Sequence, residues 1–115
     1  MKRDLKLFLN DISENIELID NSVRNITKKD FKSNKDLVDA TIRRLEVIGE
    51  AVKNIPKDFR DKYPYVEWKD ISGFRDIIVH AYFVVDLDKI WNVIKDDLPK
   101  LKKDIKKIIK ELNQE

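Results

Sequence analysis

Cysteine is absent from the 115 residues, which excludes disulfides and thiolate zinc sites. There is one histidine, which argues against a histidine-based metal centre within a single chain. Glycine occurs twice and proline three times. Scarcity of both, beside abundant Lys, Glu, Leu and Ile, argues for helices. No run of about 18 apolar residues exists, so no membrane-spanning segment and no membrane partner is expected. Lys2 and Arg3 precede a brief apolar patch, but Asp4, Lys6, Asn10 and Asp11 interrupt it. No signal peptide is expected, and a cytoplasmic location is the default. Neither sign of charge dominates. The 24 basic and 22 acidic residues leave a formal net charge of +2, which describes a solvated helical surface with a weak lean towards anions.

What is present is helical periodicity. Leu5, Phe8, Ile12, Ile16, Ile19, Val23 and Ile26 step by three and four, which predicts an amphipathic helix from about Lys2 to Ile26. Thr27 with Asp30 reads as a capping pattern for a short turn holding Phe31. Ser33 or Asn34 can cap the next helix, expected over 35–54, with Val38, Ile42, Leu45, Ile48, Val52 and Ile55 inward. Pro56 ends it. Residues 57–62 suit one further turn, which Tyr63-Pro64 breaks. A third main helix is expected from Glu67 to about Tyr82, since Val84 and Val85 disfavour its continuation. Asp86 can cap a last helix with Ile90, Ile94, Leu98, Leu101, Ile105, Ile108 and Leu112 as its stripe, and Pro99 is expected to bend it. The expected fold is all-α: one domain, 1–115, forming a four-helix up-and-down bundle. A chain of this length buries roughly two-thirds of its unfolded surface.

Charged residues make up 40% of the chain, yet from Ile71 to Val85 only Arg75 and Asp76 carry charge, and the sole histidine, His80, sits there. A lone histidine among apolar residues is more often a packed group with one hydrogen bond than a functional one. Here its neighbours matter. Asp76 and His80 are one helical turn apart, so the carboxylate can hold one imidazole nitrogen and favour the charged ring. Arg75 and Tyr82, seven apart, share a face. The Arg75 guanidinium fork suits two phosphate oxygens.

Arg75, His80 and Tyr82 form an Arg-x4-His-x-Tyr pattern that resembles the motif of HEPN-domain ribonuclease toxins, most closely the HepT-like branch. The surroundings carry the resemblance further: residues 44–51 (Arg-Leu-Glu-Val-Ile-Gly-Glu-Ala), Trp68, Gly73-Phe74-Arg75, and Tyr82-Phe83 followed by Asp86. The resemblance implies a homodimeric helical bundle of the HEPN type. It further implies a metal-independent endoribonuclease that needs no cofactor and cleaves RNA with Arg75 and His80, leaving a 2′,3′-cyclic phosphate. Asp76 would support His80. The implied partner is a minimal nucleotidyltransferase antitoxin, which would attach AMP to Tyr82. Some HEPN domains bind nucleotide or dock a nucleotidyltransferase without cutting RNA, and that class has no need of His80.

Other features read more simply. Glu46 and Glu50, one turn apart, could hold a metal or act as acid and base, but ion pairing with Arg43, Arg44 or Lys53 is the ordinary reading. Gly49 in mid-helix costs about 1 kcal/mol relative to alanine, which points to close helix approach. Lys100, Lys102, Lys103, Lys106, Lys107 and Lys110 alternate with an apolar stripe and so read as a solvated face. Trp68 and Trp91 read as core.

Overall fold

The computed structural model describes residues 2–84 and 86–114. The side chains of Lys2, Arg3, Arg75, His80, Ala81, Tyr82 and Val84 lie outside that description. Eight α-helices are present among the described residues, and no strand.

The first apolar stripe forms α1, Lys2–Val23. Its core face is Leu9, Ile12, Ile16, Ile19 and Val23, each nearly fully buried, while Leu5 and Phe8 pack at the edge. The helix ends three residues before the expected Ile26, because Asn25 turns into the left-handed region at φ 65°. Asparagine tolerates that conformation better than most residues. Thr27 then caps α2, Lys28–Ser33, with the expected capping box: Asp30 N–H donates to Thr27 Oγ1 and Thr27 N–H donates to the Asp30 carboxylate, both at 3.1 Å. This six-residue helix delivers Phe31, fully buried, against Trp91 at a centroid distance of 5.4 Å.

Asn34 caps α3, Lys35–Asn54, by accepting from Leu37 N–H. Its inward face is close to the expected one, with Ile42 only partly buried. Thr41 is the one buried polar side chain among the described residues, and its hydroxyl is satisfied by the Leu37 carbonyl at 2.8 Å. After Pro56, α4 (Lys57–Asp61) makes one turn. Trp68 is buried, and its indole N–H donates to the carbonyls of Tyr63 and Arg60.

The third expected helix is two: α5, Trp68–Ser72, and α6, Phe74–Val84. The break falls at Gly73, a poor helix former, between residues that face Gly49 of α3. A Cβ built on Gly49 would stand 3.4 Å from the Ile71 carbonyl and 3.9 Å from Phe74 Cβ. These are ordinary contacts, so alanine would fit and the close approach expected at Gly49 does not require glycine. α6 continues to Val84, past the expected end at Tyr82. The β-branched penalty of a few tenths of a kcal/mol per residue is outweighed by packing against α7, Leu87–Asn92.

The last helix is interrupted as well. Between α7 and α8 (Leu98–Asn113) lies a π-helical turn, Val93–Asp97, in which Leu98 N–H bonds to the Val93 carbonyl. Pro99 explains it. Proline has no N–H for the carbonyl four residues back, and its ring clashes there. The backbone ahead of it widens, so the expected bend takes the form of a π turn. Asp86 stands at the N-cap position of α7 without a side-chain capping bond. All seven stripe residues of this last segment are buried.

Candidate functional site

The motif helix is α6. Phe74 and Ile78, one turn apart, are each 3% exposed and anchor it to the core, where Leu45, Ile90 and Val93 surround them. The opposite face carries Asp76, exposed, with Val79 46% exposed and Phe83 78% exposed. By helical register, position 80 falls one turn after Asp76 and three residues before Phe83, on that outer face. Position 82 falls one turn after buried Ile78, so register does not confine the whole motif to that face. The side chains of Arg75, His80 and Tyr82 lie outside the described residues, as do the expected Asp76–His80 contact and the Arg75–Tyr82 pairing.

Two grooves flank α6. One, of about 470 Å³, runs between α1, α3 and α6, with Asp11, Arg43, Glu46, Glu50, Lys53 and Val79 in its walls. Glu46 and Glu50 do share this wall. Among the described residues, Glu46 has one of the expected ion partners, Arg43, at 3.9 Å in an exposed pair, and Glu50 has none. Such pairs contribute little. Arg44 turns the other way, to the Leu18 carbonyl and Ser22 hydroxyl of α1, both at 3.4 Å. Among the described residues, no three His, Cys, Asp or Glu groups are arranged to hold a metal ion.

The second groove, of about 620 Å³, lies between α5, the start of α6 and the π turn with α8. It is acidic: Glu67, Asp70, Asp96, Asp97 and Asp104 line it against Lys69 and Lys100. Loss of water contact raises the Asp97 carboxyl above the usual aspartate range, and the carboxylates of Asp96, Glu67 and Asp70 add to the rise. Lys100 is held protonated more firmly than usual by its bond to Asp104 at 2.9 Å. This groove went unnoticed in the sequence, since its carboxylates come from two segments about 30 residues apart and form no local run.

The α8 lysines are largely satisfied within the fold. Lys102 bonds Asp20 at 2.7 Å and Glu17 at 3.0 Å, Lys106 reaches Glu17 at 3.3 Å, and Lys107 sits over the Tyr65 ring at 5.2 Å. A second basic group, Lys28, Lys29 and Lys32 on α2, was also missed. Its signal was the capped Lys-Lys-x-x-Lys of a short helix, without any hint of what it faces.

The sequence profile of the family described as "Ribonuclease HepT-like" matches residues 12–108. The chain belongs to that family. Its all-α bundle is of the HEPN type. Among HepT-like relatives, a protein of Methanocaldococcus jannaschii whose name couples gamma-glutamylcyclotransferase with RNase is 49% identical over 114 residues, covering 99% of this chain. The chain spans only 51% of that relative's length. A second protein of the same organism, with RNase in its name, is 47% identical over 111 residues, covering 96% of this chain and 92% of its own. The "Probable ribonuclease HepT" of Thermococcus cleftensis is 46% identical over 110 residues, covering 96% of this chain and 100% of its own. No solved structure gives a significant match. No helix among the described residues is long and apolar enough to cross a membrane.

Proposed function

We propose that this HepT-like chain, acting as a single domain in the cytoplasm, is the endoribonuclease toxin of a toxin–antitoxin pair. It cleaves RNA without metal at a composite site in a homodimer. What supports the reading is the outer face of α6, the helix that carries the motif, where Val79 and Phe83 are apolar and exposed. An apolar face beside a charged motif suits a two-fold contact that brings two motifs into one cleft.

The chemistry supports that pairing. Attack by the RNA 2′-hydroxyl forms a bond from the 2′ oxygen to phosphorus and breaks the bond from phosphorus to the 5′ oxygen. One group must take the 2′ proton and another must give a proton to the leaving oxygen. One chain has one histidine, so His80 from each of two copies supplies the base and the acid. The Arg75 guanidinium stabilises the charge that builds on the phosphate oxygens. Asp76 holds the His80 tautomer. The products are a 2′,3′-cyclic phosphate and a free 5′-hydroxyl. A minimal nucleotidyltransferase antitoxin then silences the site by transferring AMP from ATP to the Tyr82 hydroxyl, with pyrophosphate as the leaving group. The added phosphodiester brings negative charge and bulk to the side of α6 that carries Arg75.

The test is an RNA cleavage assay on wild type, His80→Ala and Arg75→Ala, with helicity followed by circular dichroism. Each substitution is expected to reduce cleavage by about 10²–10⁴-fold with helicity intact, and chelator is expected to leave the rate unchanged. Sensitivity to EDTA would instead implicate the Glu46 and Glu50 groove. A wild-type protein that binds a nucleotidyltransferase but cuts no RNA would show a binding module. Intact mass after co-expression with that enzyme reads the Tyr82 adduct, and sedimentation reads the dimer.

A further inference from the structure

Charge is distributed unevenly along α6. At its start, Gly73, Phe74 and Ile77 form one wall of the acidic groove. Beyond its end, α7 meets α2, and there the balance reverses. Residues 27–34 and 86–95 hold five lysines and three aspartates, an excess equal to the formal net charge of the whole chain. Three of those lysines, Lys28, Lys29 and Lys32, surround a shallow concavity of about 370 Å³ with Ser33. Lys28 and Lys32 both reach the Asp88 carboxylate, at 3.5 and 3.1 Å, and Lys29 has no ion pair among the described residues. Lys95 adds a cation on the same unit, 4.7 Å from the centre of the Trp91 ring on which Phe31 packs.

The patch is rigid for so short a helix. The capping box fixes the start of α2, and buried Phe31 pins its middle to α7. The backbone that carries its lysines is therefore tied to α7, which in turn packs on α6. Asp88 follows His80 by eight residues, a span of no more than about 28 Å even fully extended.

We propose that the lysine patch of α2 is a phosphate-binding subsite for RNA, holding the strand beside the α6 motif and away from the acidic groove. This rests on the nuclease reading above. An ammonium offers a point charge with rotatable donors, suited to a phosphate backbone and indifferent to base identity. Asp88 acts as a built-in brake, because it shares two of the lysines with any incoming phosphate.

Binding of a labelled single-stranded oligoribonucleotide is measured against salt in a His80→Ala background, and cleavage kinetics are measured with His80 intact. Replacing Lys28, Lys29 and Lys32 together by Gln is expected to lower the magnitude of the salt slope by about 2, at roughly 0.7 per lost phosphate contact. A fourfold dilution of salt would then tighten the parent about 16-fold more than the variant. KM for a long RNA rises, while kcat on a dinucleotide too short to reach the patch stays unchanged. Asp88→Asn is expected to tighten binding, a gain that misfolding cannot imitate. Unchanged binding and salt slope in the lysine variant would overturn the proposal. So would weaker binding by Asp88→Asn. If the parent binds RNA through these lysines yet wild type never cleaves it, the subsite stands and the nuclease reading falls.

Discussion

Phe31 offers the sharpest test of how this fold is held together. It is fully buried, on a six-residue helix that also packs on α3 and pairs Lys28 and Lys32 with Asp88. Phe31→Ala removes the ring and its contact with Trp91. Substitutions of this kind cost about 3–5 kcal/mol, the lost transfer energy plus the cavity left behind. At about 2.1 cal/mol/K of unfolding entropy per residue, 115 residues give an unfolding entropy near 240 cal/mol/K, so the expected fall in Tm is roughly 12–20 °C. Phe31→Leu, which keeps most of the volume, is expected to lose much less. Thermal and urea denaturation by circular dichroism read the cost at one fixed protein concentration, since association would shift Tm. Tryptophan emission reads whether the Trp91 environment opens. If α2 peels away instead of leaving a cavity, the stability loss is smaller but the emission shifts to the red. A loss below about 1 kcal/mol, the typical cost of an ordinary point substitution, with unchanged emission, would refute the claim that Phe31 anchors α2.

Three further outcomes are expected. Gly49→Ala is close to neutral or stabilising in urea denaturation, because the roughly 1 kcal/mol gained in helix propensity meets only an ordinary contact with the Ile71 carbonyl at 3.4 Å. Gly49→Val, whose branches must enter that contact, loses about 1–3 kcal/mol. Hydrogen bonds from Lys102 and then Lys106 hold the Glu17 carboxyl below its ordinary value of 4.5, and bonds to Asp20 and Glu17 raise Lys102 above 10.5. The stability difference between wild type and Lys102→Met should therefore be greatest between these values in a pH series of melts. It should shrink as pH falls below 4.5, where Glu17 protonates, and as pH rises beyond 10.5, where Lys102 loses its proton. Asp97 has the opposite sign for an acid: its raised value means the folded state binds the proton more tightly, so its ionisation opposes folding at neutral pH. Asp97→Asn should raise Tm at pH 7 and give no gain at a pH low enough to protonate the aspartate. An equal gain at both would show that charge crowding is not the cause.

Much of this protein is legible along the chain. The stripes of α1, α3 and α8, the Thr27–Asp30 capping box, the Asn34 cap and the stop at Pro56 are local features, set by a 3.6-residue repeat and by side chains that bond their own neighbourhood. The motif around His80 stands out for the same reason, as polar residues inside an apolar run. The tertiary structure decided what no local period contains. It broke the motif helix at Gly73, where the chain rests on Gly49, and opened a π turn ahead of Pro99. It chose which apolar residues of α6 are core, Phe74 and Ile78, and which are surface, Val79 and Phe83. It set Asp88 between Lys28 and Lys32, and gathered Glu67, Asp70, Asp96 and Asp97 around one groove. Burial and charge pairing between distant segments depend on how whole helices seat against one another, and that is settled by packing in three dimensions.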